Sequence, residues 1–197
     1  MSPRELAEDE TPLALAWIAS ARGALAGTAS DALLRSALET NFAWREVRNP
    51  TEHLRHIERT LSAIVKVLEL SRHYFADVSL ERAREVFSSI DIPPAYTLFE
   101  DRVYFTPEFK PWDPATMTGF GRLCRTAMVV HEAVHIFDRR SGEREIHVSE
   151  WDERYASRTA EQQLHNPSAY ASLTAQIHER RLHWPLEARY GAGHREI

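Results

Sequence analysis

"MVVHEAVHIFDRRSG", residues Met128–Gly142, places two histidines and a glutamate on an otherwise apolar segment. Within it His131-Glu132-Ala133-Val134-His135 reads H-E-x-x-H. A helix puts positions i and i+4 on one face, a turn apart. Both imidazoles then reach one metal ion at about 2.0–2.1 Å. Glu132 lies one residue round from His131, beside the water that such an ion would activate, where a general base belongs. The surrounding Arg125–Phe137 is helix-compatible and apolar on several sides. Burying two histidines and a glutamate there without a partner costs a few kcal/mol, and a metal removes that cost. The segment therefore predicts one Zn2+ per chain, with His131 and His135 as ligands and Glu132 as the base. The competing reading is a pair of structural histidines.

A catalytic zinc takes three protein ligands and keeps one position open for water. Downstream candidates are His147, Glu150, Asp152, Glu153 and Glu161, and spacing alone does not choose among them. The longer H-E-x-x-H-x-x-G-x-x-H pattern is absent, because position 138 is Asp and position 141 is Ser. Asp138 itself reads as a solvated helix end. His53 and His56, at i and i+3, read as a solvated face, and Cys124 as a small core residue.

Outward from the motif, the chain is mostly helical in pattern. Leu13–Gly27 and Ser30–Phe42 read as helices, the second capped by Ser30 or Asp31. Asn49-Pro50 opens a long helix through Phe75, in which Leu54, Ile57, Leu61, Ile64, Val65 and Leu68 form one apolar stripe. Ser79–Ile90 is a shorter helix with Ser79 as cap. The period then changes. Tyr96–Phe99 and Val103–Thr106 are β-prone runs around Glu100-Asp101-Arg102, which predicts a hairpin. Three prolines make 108–115 a loop, and the motif helix is expected to start near Thr116. Thr159 caps a short helix, and Asn166-Pro167 opens the last one. The fold class is thus α+β, predominantly α-helical, with a small β-hairpin ahead of the motif helix. The organisation expected is an N-terminal helical segment (1–48) packed on a main domain (49–183), then a loosely held tail (184–197).

Composition excludes several function classes. The chain has 197 residues and a formal net charge of −5, so no basic footprint for nucleic acid is present. No apolar run is long enough for a membrane span. The acidic start lacks a basic region followed by an apolar run, and Cys124 is the single cysteine. Those features predict a cytoplasmic protein, or one exported by a signal-independent system. The basic residues are nearly all arginine, Lys66 and Lys110 being the exceptions, which reads as codon bias in the source genome.

Residues Ala95–Glu179 resemble the aspzincin metallopeptidases, the group of deuterolysin and peptidyl-Lys metalloendopeptidase. That family joins H-E-x-x-H to a downstream G-T-x-D-x-x-Y-G, and Asp152-Glu153-Arg154-Tyr155 keeps D-x-x-Y. Asn166 and Tyr170 match a family N-x-x-S-Y-like stretch, and Arg102–Trp112 is similar to its strand followed by prolines and aromatics. The family's Gly-Thr is replaced here by Ser149-Glu150, and its last Gly by Ala156. The resemblance implies a zincin-like catalytic domain over 49–183, with Asp152 as third ligand and Glu150 as its rival. It also implies that Tyr155 donates to the developing oxyanion. The activity implied is that of a zinc metalloendopeptidase acting on polypeptide substrates. The alternative is a zincin-fold binding or toxin/effector-associated module without general peptidase activity.

Overall fold

A computed structural model describes residues 1–27, 31–87, 92–97, 101–141, 148 and 154–180. The first helix, α1 (Pro3–Ala26), starts ten residues before the expected Leu13. Ser2 and Glu5 form a reciprocal capping box, the Ser2 amide donating to Glu5 Oε2 at 2.6 Å and the Glu5 amide to Ser2 Oγ at 3.2 Å. Pro12 lies inside this helix, although an interior proline costs about 3 kcal/mol. Burial outweighs that cost. Leu6, Ala7, Glu10, Ala14, Trp17, Ile18 and Ala21 recur at helical spacing and are all buried.

The remaining helices follow their caps. Asp31 caps α2 (Ala32–Phe42) and Asn49 caps α3 (Pro50–Glu69). Within the α3 stripe Ile57, Leu61, Ile64 and Leu68 are buried, while Leu54 and Val65 lie partly buried against them. The chain breaks at Leu70, forms one turn, α4 (Ser71–Tyr74), and enters β1 (Phe75–Asp77). The uninterrupted helix expected to reach Phe75 is therefore replaced by a helix, a turn and a strand. The break lets Phe75 pack edge-on against Phe105, their centroids 5.0 Å apart. It also brings Asp77 Oδ1 to the Arg4 amide at 2.7 Å. Ser79 caps α5 (Leu80–Val86) as expected.

The expected hairpin is present as β2 (Ala95–Thr97) antiparallel to β3 (Val103–Phe105), with Ala95 opposite Phe105 and Thr97 opposite Val103. β1 joins β3 in parallel, giving a three-stranded sheet in the order β1-β3-β2. α6 (Arg122–Ser141) begins six residues later than expected. The segment before it is folded back on itself. The Asp113 amide donates to the Thr118 carbonyl at 2.8 Å, and the Phe120 amide to the Lys110 carbonyl at 2.9 Å. Gly119 closes this loop with φ +91°, and a Cβ there would stand 2.1 Å from the Pro111 carbonyl oxygen. Only glycine fits.

The chain ends its described part with α7 (Ala160–Leu164), capped by Thr159 and Gln162, and α8 (Pro167–Glu179). α6 packs against α1, α3, α8 and β2. Val129, Val130, Ala133, Val134 and Ile136 are all fully buried, as a helix that is apolar on several sides must be. α8 is buried from Pro167 to Ile177. Its small residues, Ser168, Ala169, Ala171, Ser172 and Ala175, allow close approach of the neighbouring helices. α1, α2, α3, α6 and α8 share one apolar cluster. No helix among the described residues is long and apolar enough to cross a membrane.

Candidate metal centre

The central helix α6 carries the motif, and its register aims His131, Glu132 and His135 at one place. His131 Nε2 and His135 Nε2 lie 3.1 Å apart. With bonds of about 2.0–2.1 Å, a tetrahedral ion needs its ligand atoms about 3.3 Å apart, so the spacing of the two nitrogens, itself that of a hydrogen bond, could also accept one ion. A Glu132 carboxylate oxygen belongs to the same group, whose ligand atoms all fall within 4.8 Å of one another. Glu132 and His135 are each 7% exposed, and His131 is half-buried.

Two neighbouring elements orient these side chains. Thr97, at the end of β2, donates its hydroxyl to Glu132 Oε2 at 2.8 Å, and both residues are buried. A charge-assisted bond of this kind fixes the rotation of the carboxylate. Side chains alternate along a strand, so Thr97 turns toward α6 while Tyr96 turns toward Phe87 and Tyr104. Burial pushes the Tyr96 phenol above its ordinary pKa. On the other side, Ser168 Oγ lies 3.2 Å from His131 Nδ1. The C-terminal end of α6 is held by Arg140, which pairs with Asp101 at 2.9 Å and lies 5.0 Å from the centre of the Tyr74 ring.

No family model, curated protein or solved structure matches this chain. The aspzincin resemblance therefore stands on the motif residues themselves.

Among the described residues, His131, Glu132 and His135 are brought together, and Glu161 is not part of their group. Glu161 instead lines a cavity of about 540 Å3 with Glu52, His53 and His56. Those two histidines are half-buried rather than solvated, and the His56 ring lies edge-on to His165. Asp138, expected at a solvated helix end, is fully buried. The helix runs past it to Ser141, so its position is interior and not terminal. Cys124 is a buried core residue, as expected. Asp152, the expected third ligand, lies outside the described residues, as do His147, Glu150 and Glu153. Four positions before Asp152, Val148 is buried and gripped twice by Asn166. The Asn166 amide donates to the Val148 carbonyl at 2.9 Å, and its oxygen accepts from the Val148 amide at 3.4 Å.

Tyr155, expected to donate to the developing oxyanion, is buried. Its hydroxyl donates to Asn41 Oδ1 at 2.9 Å, and Asn41 Nδ2 donates in turn to Gln176 Oε1 at 2.6 Å. Gln176 lies eight residues beyond Ser168 on α8, about 12 Å along the axis. Tyr155→Phe would strip a buried acceptor of its donor and is expected to destabilise the fold by about 1–3 kcal/mol. Thermal melting reads that loss, and zinc affinity should stay near wild type. A Phe variant with unchanged melting and lost turnover would instead support the oxyanion role of the hydroxyl.

Two features of the centre had no signal in the sequence. Ser168 and Thr97 are 37 and 35 residues from their partners. Serine at a helix start and threonine in a strand are ordinary local choices, so nothing in either segment marks them.

Proposed function

We propose that this chain is a zinc-dependent endopeptidase of aspzincin type on a zincin-like domain. The observation that carries the reading is the convergence of two imidazole nitrogens, 3.1 Å apart, with the Glu132 carboxylate in the same group. Zinc held there would supply a Lewis acid and a water of lowered pKa. His131 and His135 would bind it through Nε2, with Asp152 as third ligand by resemblance and Glu150 as the competing carboxylate. Glu132, held by Thr97, would take the proton from the attacking water and deliver it to the departing amine. The substrate class proposed is a polypeptide.

The test is metal content followed by hydrolysis of an unfolded protein. The purified protein should hold about one zinc per chain, and His135→Ala should lose both tight binding and cleavage. A folded protein with no affinity for added zinc would overturn the proposal.

A further inference from the structure

The geometry points to Ser168 as the positioning residue that sets the tautomer of His131, an inference that rests on the metal-binding reading above. Ser168 is the second residue of α8 and is 1% exposed. Its Oγ stands 3.2 Å from His131 Nδ1, while Nε2 of the same ring stands 3.1 Å from His135 Nε2. One edge of the imidazole thus faces α8 and the opposite edge faces the partner ring.

A neutral imidazole carries one N–H. With that proton on Nδ1, His131 donates to the serine oxygen, and the Nε2 lone pair is presented to the space shared with His135. With the proton on Nε2, the N–H points into that space and closes it to a cation. Hydrogen bonding at the far nitrogen is what decides between these states in metal-binding histidines. Ser168 is suited to this task because it is rigidly placed. α8 is buried from Pro167 to Ile177, Pro167 opens its first turn, and Asn166 just before it is anchored to Val148. A hydroxyl is also uncharged, so it directs the proton without adding a second carboxylate beside Glu132.

The test uses the full chain with zinc alone. Zinc affinity is measured by competition with a chromophoric chelator for wild type, Ser168→Ala and Ser168→Thr. Ser168→Ala should bind about ten- to a hundredfold more weakly, and Ser168→Thr, which restores the hydroxyl, should recover most of the loss. Independently of any variant, 15N-histidine NMR of the metal-free wild type, with the ring neutral, should show the proton of His131 on Nδ1. Equal affinity for wild type and Ser168→Ala, or a proton on His131 Nε2, overturns the role of Ser168 and leaves the metal reading standing. Failure of the wild type to take up zinc overturns the metal reading and this inference together.

Discussion

Replacing Glu132 by Gln is expected to leave the fold and zinc affinity near wild type while lowering peptide hydrolysis by about two to four powers of ten. The reasoning separates packing from proton transfer. Gln keeps the shape of Glu and still offers an oxygen to the Thr97 hydroxyl, which donates at 2.8 Å to Glu132 Oε2. The buried contact between β2 and α6 therefore survives. What is lost is the basic carboxylate, and an amide cannot take the proton from an attacking water. Melting temperature, zinc content and turnover of an unfolded protein substrate, measured on the same preparation, give the answer. Cleavage at the wild-type rate by the zinc-loaded variant would remove Glu132 from the role of base.

The largest effect on stability should come from a residue far from the motif. Glu10 is 2% exposed and accepts from Arg125 Nε at 3.0 Å and Nη2 at 2.7 Å through one oxygen. Its other oxygen accepts from Arg122 at 3.2 Å and from the Thr126 hydroxyl at 3.1 Å. Arg125 is itself 8% exposed. Glu10→Ala strands this guanidinium in the interior, which costs about 3–5 kcal/mol. For a chain of this size that corresponds to a fall of roughly 10 °C in melting temperature. A Glu10→Leu, Arg125→Leu double variant should recover most of the loss, since a buried ion pair exchanges nearly evenly for apolar packing. Wild-type melting by Glu10→Ala would mean that the pair contributes nothing and that α1 is held by its apolar face alone.

The same residues show what sequence can and cannot convey. Features fixed by neighbours in the chain are legible. Asn49-Pro50, Ser79 and Thr159 announce their helices because a cap needs only its own first turn. The α3 stripe and the β2–β3 hairpin are legible for the same reason. Features fixed by distant partners are not. Glu10 sits in an acidic N-terminal run that looks solvated, and its burial depends on Arg125, 115 residues away. β1 is three residues long and has no periodicity of its own, because its pairing with β3 defines it. The start of α6 is displaced by a turn that only the fit of Gly119 against Pro111 explains. The centre divides in the same way. His131, Glu132 and His135 are visible from spacing within one helix. Thr97 and Ser168 become visible only when β2 and α8 arrive.

The burial of α6 has a consequence for how the molecule exchanges its amide hydrogens. Its middle turns, around Val129–Ile136, touch α1, α3 and α8 and are buried apart from the half-buried His131. Local opening of those turns would have to disturb three neighbours at once, so their amides should exchange only through global unfolding. A ligand captured by His131 and His135 would bind a segment that opens last. Its binding free energy, RT ln(1 + [L]/Kd), would then be added to the stability of the whole cooperative unit rather than to one loop.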